Sequence, residues 1–477
     1  MTPPDRRTFL RRAGTAILAP SLAGLAACGM EPSVPPTGAA RNAVRRADLG
    51  RGGYGSLALS ADASELLVPA GFRVARVSVT GSPSRANPSF TVPNAVDGMA
   101  AFPGANGAIR LVRNHEINDP AATAYPFGQE SVYDARCGGG TTTVELAITG
   151  GRAERRIEVV REFPSLNGTH VNCAGGPTPW GSWLSCEETT AERDRRHGYV
   201  FEVPAQGNQA ADPVPLVAMG RFVHEAVAVD PRSGIVYETE DMRYQPAAGL
   251  PGAGFYRFMP NEAGNLRAGG RLEMLAVRGM PGYLTMIGQT PGTVLPVEWV
   301  TIDDPNPETA TADPSAVFRE GVAKGAAVFH RLEGCWYGDG TVYFDATAGG
   351  DAGAGQVWQY RPPAPGAPAS DGGALVLIFE SPGVGVLQSP DNICVSPRGG
   401  IVLCEDGEGV QFVRGVTRDG AIFDLVTTDG PLPEFAGACF SPDGEVLFFN
   451  IQGSTTSAGT ERGATYAMWG PWELGAL

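Results

Sequence analysis

One pattern recurs along this chain and narrows the choice of fold sharply. A short apolar strand runs into a tight turn carrying Pro, Asp or Gly, a second apolar strand follows, and polar residues close the unit. It reads MAAFPGANGAIRLVRNHE at Met99–Glu116, NCAGGPTPWGSWLSCEE at Asn172–Glu188 and AVAVDPRSGIVYETED at Ala226–Asp241. It returns as CWYGDGTVYFDATAGG at Cys335–Gly350, ICVSPRGGIVLCEDG at Ile393–Gly407 and ACFSPDGEVLFFNIQG at Ala438–Gly453. A weaker copy, LALSADASELLVPAG, precedes them at Leu57–Gly71. Alternation and turn chemistry make each copy a β-hairpin. Hairpins that recur every few tens of residues mark a repeat architecture, in which each unit buries its face against its neighbours. The expected fold is therefore an all-β propeller of six blades, with the weaker copy leaving seven open. A large sandwich of unrelated hairpins is the alternative. Gly (65) and Pro (40) lie between the apolar runs, where turns require them.

The acids fall at one place in this repeat. Aligning the second strands brings His115-Glu116, Glu187-Glu188, Glu240-Asp241 and Glu405-Asp406 to the same position, just past each apolar run. Equivalent positions in successive blades form a ring about the axis. Carboxylates about 4–6 Å apart disfavour each other's ionisation, so such a ring calls for bound cations. Because strand side chains alternate, one acid of each pair faces inward. Glu187, Glu240 and Glu405 are the expected ligands within the pairs, and Glu116, Glu188, Asp241 and Asp406 are the alternatives. RFVHEAVAVD adds Glu225 in apolar surroundings, where an unpaired carboxylate is costly. FHRLEGCWYGDG sets Arg331 and Glu333 two apart, on one side of a strand, and SPDNICV offers Asp391 and Asn392. All-oxygen clusters suit calcium, whereas a thiolate suits iron, zinc or copper. Cys173, in a Gly/Pro-rich stretch, therefore points to a transition metal beside calcium.

The net charge of −15 argues against nucleic acid or an anionic membrane as a partner. The N-terminus, DRRTFLRRAGTAILAPSLAGLAACGM, has an arginine pair and a short apolar run, the features of a twin-arginine export signal. Its end at Cys28 resembles a lipobox, so a lipid at Cys28 is the one expected membrane contact. Residues 1–28 are read as the signal, 29–50 as a flexible Pro/Gly/Ala linker, and 51–477 as one propeller domain. The expected location is the periplasm or cell envelope. Of the eight cysteines, 186, 394, 404 and 439 sit in strand-like runs, and 137 and 335 read as turn residues, either paired or free. No HExxH, GxSxG or GxxxxGK[ST] motif is present, and Gly252–Phe258 reads as a strand.

Taken together, LVRNHE, NCAGGPTPWGSWLSCEET, RFVHEAVAVDP, YETED, FHRLEGCWYGDGTVYFDATAGGD, SPDNICVSPRGGIVLCEDG and EFAGACFSPDGEVLFFNIQG resemble the PhoX family of bacterial alkaline phosphatases. The resemblance runs from about Leu111 to Trp472. It implies a six-bladed propeller with two Fe³⁺ and three calcium ions on its axis, acting on small phosphorylated substrates. It also implies Cys173 as an iron ligand, Glu225 as a ligand to the irons, Glu333 as a calcium ligand and Arg331 as the catalytic clamp on the phosphate. The residues of PDN and CED correspond to Asp391, Asn392, Glu405 and Asp406. The chain is expected to act as a monomer. Two other readings stay open: a phosphodiesterase or phosphotriesterase on the same cluster, and a calcium-stiffened propeller that only binds.

Overall fold

The computed structural model describes residues 50–364, 366–367, 371–431 and 434–477. The arginine pair, Cys28 and the linker up to residue 49 lie outside the described residues. The described residues are nearly all β, with one α-helix among them, Ala316–Ala323. No helix among the described residues is long and apolar enough to cross a membrane.

Each strong copy of the repeat forms an antiparallel hairpin. The first strands are Val96–Pro103, Asn172–Pro177, His224–Val229, Leu332–Gly338, Pro390–Val395 and Phe435–Phe440. Their partners are Ile109–His115, Ser182–Glu187, Val236–Glu240, Thr341–Ala346, Ile401–Glu405 and Leu447–Ile451. Turn chemistry fixes the registers. Gly338 pairs with Thr341 across Asp339-Gly340, and both turn residues hold positive φ (53° and 81°), as a two-residue hairpin loop demands.

The first strands pack on one another in sequence order, and the last, Phe435–Phe440, packs back on Val96–Pro103. The arrangement is propeller-like. The second strands lead outward to further strands, among them Gly139–Thr149 and Arg156–Thr169 beyond the first hairpin. The last sheet closes with a segment from the other end of the described chain, because Arg73–Val79 pairs with Ala464–Trp469. The weaker copy is not a separate unit. Its strands Leu57–Leu59 and Leu66–Pro69 extend the outer edge of the sheet that begins at Pro390, pairing with Ile422–Thr428. Val294–Thr301 joins the third and fourth sheets at their outer edges, pairing with both Gly270–Val277 and Ala374–Glu380. The strand expected near Gly252–Phe258 forms at Phe255–Pro260.

Apolar clusters fill the spaces between neighbouring sheets, such as Val74, Val402, Phe423, Phe449 and Met468 in one and Tyr237, Phe255, Phe344 and Trp358 in another. Trp183 is buried between the first two sheets. Of the turn cysteines, Cys335 lies instead inside the strand Leu332–Gly338 and is buried. All seven described cysteines are unpaired as disulfides.

Candidate metal centre

The six first strands share one irregularity that creates the site. In every hairpin the register breaks at the start of the first strand, between Val96 and Met99, Asn172 and Gly175, His224 and Val227, Leu332 and Cys335, Pro390 and Ile393, and Ala436 and Cys439. A bulge bends the strand and re-aims a side chain. The second residues of these strands are Asp97, Cys173, Glu225, Glu333, Asp391 and Ala436. Five of the six are carboxylates or a thiol, and all five are buried.

The backbone ahead of the bulge is strained. Ala95 (φ 53°), Val171 (52°), Arg331 (55°) and Ser389 (48°) occupy the left-handed region two residues before Asp97, Cys173, Glu333 and Asp391. For β-branched Val171 this is a true outlier. The carbonyl of each of these residues accepts a hydrogen bond from the residue just past the second strand: Glu116 N to Ala95 O, Glu188 N to Val171 O, Thr347 N to Arg331 O and Asp406 N to Ser389 O. Asp241 N to Val223 O and Gln452 N to Glu434 O complete the repeat. One bond per hairpin thus ties the end of the second strand to the beginning of the first. Residues 116, 188, 241, 406 and 452 are held beside the inward-facing set.

The group is tightly convergent. Asp97, Glu116 and Cys173 offer ligand atoms within 4.8 Å of one another, and so do Cys173, Glu225 and Asp391. Cys173 Sγ donates to Glu225 Oε1 at 3.0 Å. Gln452 Nε2 bridges Asp97 Oδ2 (2.7 Å) and Glu116 Oε2 (2.6 Å). Asn392 donates to Asp391 Oδ1 at 2.7 Å and accepts from Gly437 N. Burial pushes the Asp97 carboxyl up, and the Glu116 and Asp391 carboxylates push it further. Burial does the same to Glu225, with Glu333, Glu188 and Asp391 adding to it. The Cys173 thiol is raised by burial and then by Asp97, Glu225, Glu188 and Glu116. Arg331, itself buried, is clamped by Asp241 through Nε at 2.9 Å and Nη2 at 2.9 Å, and by Glu333 through Nη2.

This donor set fits metal ions. Like charges gathered out of water are costly unless cations or protons neutralise them. Glu225 Oε2 is buried and has no hydrogen-bond partner among the described residues. A hard-oxygen majority with one thiol is the chemistry of a mixed hard and soft metal site.

Within the acidic pairs, the two members take different surroundings. Glu187 accepts from the backbone of His170 (2.9 Å), Gly198 (2.9 Å) and Tyr199 (3.2 Å) and from His197 Nδ1 (2.7 Å). Glu240 accepts from Gly254 N (2.9 Å) and Tyr256 Oη (2.8 Å). Glu405 accepts from Gln388 N, Phe412 N and Arg414 Nε. These three carboxylates brace their own sheets. Glu116 and Glu188 instead act on the Cys173 group, Asp241 holds Arg331, and Asp406 is tied through its N–H at the same position. In the first pair His115 is the bracing residue, bonded to Asn94 O and Thr142 Oγ1.

Two acids of the site were not singled out from the sequence. Asp97 stands in VDGMAAF at the same offset from its turn as Cys173, Glu225, Glu333 and Asp391 stand from theirs. Aligning the first strands rather than the second would have found it. Asp345, fully buried in the second strand of the fourth hairpin, is pushed up by burial and by Asp391. Its apolar neighbours in sequence gave no signal.

Trp336 lines a small pocket between the first strands with Gly98, Ala174, Ala226, Gly334 and Gly437. The small residues let the first strands approach closely: a Cβ on Gly98 would stand 2.5 Å from Ala174 Cα.

The model of the family described as alkaline phosphatase PhoX matches residues 52–454. Among solved structures, PhoX from Pseudomonas fluorescens in complex with vanadate, a transition state analogue, is similar over 90% of this chain and 99% of its own, with 19% identity and a TM-score of 0.63. A gluconolactonase from Xanthomonas campestris covers 88% of this chain and 98% of its own, with 12% identity and a TM-score of 0.41. No curated protein is detectably similar in sequence.

Proposed function

This chain belongs to the PhoX alkaline phosphatase family, and from that premise we propose that it is a metal-dependent phosphomonoesterase. The observation that carries the reading is the buried convergence of Asp97, Glu116, Cys173, Glu225 and Asp391 on one small volume, next to the Asp241–Arg331–Glu333 chain. The vanadate complex of the Pseudomonas fluorescens structure supports phosphoryl chemistry in this fold. We read the cyclic packing of first strands as six blades, with the metal cluster on their common axis. Cys173 would hold iron, and Glu116, Glu188, Glu225, Glu333, Asp391 and Asp97 would be shared between iron and calcium. Bound cations would supply Lewis acidity to the phosphoryl oxygens and neutralise the charge that develops there.

The chain's own contribution is positioning. Arg331 presents a planar guanidinium as the donor to a non-bridging phosphate oxygen. Asp241 and Glu333 fix its plane before substrate arrives, so little reorganisation is needed in the transition state. No serine motif is required for such a reaction. The arginine pair and apolar run of the N-terminus support twin-arginine export to the periplasm or envelope, with Cys28 lipidated; the mass of the mature N-terminal peptide tests this.

The central experiment uses the full chain with its native metals. Hydrolysis of p-nitrophenyl phosphate is expected to exceed that of bis-(p-nitrophenyl) phosphate. Arg331→Ala should lower kcat/KM by about 10²-fold with iron and calcium content unchanged. Faster diester hydrolysis would favour the phosphodiesterase reading. No hydrolysis by fully metallated protein would leave a binding propeller.

A further inference from the structure

A second constellation lies apart from the Cys173 group. Asp134 and Cys137 stand in the loop between strands Ile109–His115 and Gly139–Thr149, and His197 in the loop ahead of Val200–Pro204. The side chains of Asp134 and His197 are 0% exposed, and Cys137 is 0% exposed. Their ligand atoms lie within 4.8 Å of one another. Cys137 Sγ is 3.3 Å from His197 Nε2, and His197 Nε2 is 3.4 Å from Asp134 Oδ2. His197 Nε2 thus faces both Cys137 Sγ and Asp134 Oδ2, and 3.4 Å is long for a nitrogen–oxygen bond. Zinc–sulfur bonds of about 2.3 Å and zinc–nitrogen or zinc–oxygen bonds of about 2.0–2.2 Å set neighbouring ligands of a tetrahedron about 3.4–3.6 Å apart. The two spacings from His197 Nε2, 3.3 Å and 3.4 Å, lie close to those edges.

The surroundings also match. The other ring nitrogen of His197 meets Glu187 Oε1 at 2.7 Å, the carboxylate–histidine arrangement that orients a metal-bound imidazole. Glu187 is in turn fixed by the three backbone N–H groups of His170, Gly198 and Tyr199. Asp134 is held by Arg136 N at 2.8 Å and Arg195 N at 2.7 Å. The Tyr133 ring closes one side, its centroid 5.4 Å from that of His197. A thiolate and a carboxylate together neutralise a divalent ion, so the complex is uncharged where it is buried. We propose that Asp134, Cys137 and His197 form a second metal site for a borderline-soft divalent cation, zinc by preference, which pins the two loops together. The paired glutamates thus divide between two centres: Glu188 toward the axis, Glu187 behind His197.

The test is metal analysis of the full chain as purified, with zinc and cobalt as probes. Wild type and Cys173→Ala should each retain about one equivalent of zinc, and Cys137→Ser and His197→Gln should lose it. Replacement by Co²⁺ should give a thiolate–cobalt charge-transfer band in Cys173→Ala that is missing from Cys137→Ser. Zinc retained by Cys137→Ser would overturn the assignment. If the Cys137 and His197 variants do not fold, Cys173→Ala decides alone, and absence of both zinc and the cobalt band from it overturns the proposal. None of these readouts depends on phosphatase activity.

Discussion

Glu187 and Glu188 are adjacent in the chain, and the backbone turns them to opposite tasks. Glu187 ends its strand and is saturated by three N–H groups and an imidazole, whereas Glu188 is one residue past the strand and acts on Cys173 and Glu225. Glu188→Gln should therefore reduce the iron or calcium retained by the purified protein while leaving its fold intact. Glu187→Gln should leave the iron and calcium content unchanged and lower Tm, because a carboxylate that accepts from His197 and three backbone N–H groups is replaced by a weaker acceptor. Metal content and thermal melts on the same two samples check this, and reversed outcomes would assign the axial role to Glu187. Sequence alignment located the pair but not its inward member. Strand alternation says that neighbours point apart, but the sign depends on a bulge set by the opposing strand.

The bulged hairpin is the element that builds the site, and Gly437 shows its tolerance. Its φ is 61°, and a Cβ there would stand 2.3 Å from Asp97 O. Gly437→Ala should destabilise the fold by about 2–4 kcal/mol, combining left-handed strain with overpacking. Urea denaturation measures this, and a change below about 0.5 kcal/mol would show that the strands part easily there. A second element-scale prediction concerns Glu240. Burial raises its pKa to about 8, against the lowering effect of Tyr256 Oη and Gly254 N–H. Its folded pKa exceeds the usual unfolded value, so its contribution is greatest at low pH and is lost as pH rises through about 8. Glu240→Gln should flatten the fall of Tm between about pH 5 and pH 8. An unchanged slope would mean that other groups carry it.

On the scale of the whole molecule, the acid cluster and the closing sheet determine how the protein loses its fold. First strands from well-separated parts of the chain meet at the Cys173 group, so cations bound there bind the native state alone and stabilise it by mass action. Chelator treatment should lower Tm by several degrees or more, and calcium with iron should restore it. A Tm insensitive to both would separate the acidic group from fold stability. Closure relies on Arg73–Val79 pairing with Ala464–Trp469, which no local signal in either segment announces. The pairing is also why LALSADASELLVPAG, a hairpin by pattern, ends as an outer edge: the ring is already complete without it.

The sequence alone determined the hairpins, their order, the propeller-like class and the family, because alternation, turn residues and motif spacing act over a few residues. It also located Cys173, Glu225, Arg331 and Glu333, whose neighbours are unusual within a single segment. Tertiary structure decided which acid of each pair turns inward, brought Asp97 and Asp345 into the group, and assembled Asp134, Cys137 and His197 from two distant loops. Those outcomes depend on bulges, left-handed residues and cross-strand bonds between segments tens to hundreds of residues apart, and such non-local pairings leave no period in the sequence for a reader to find.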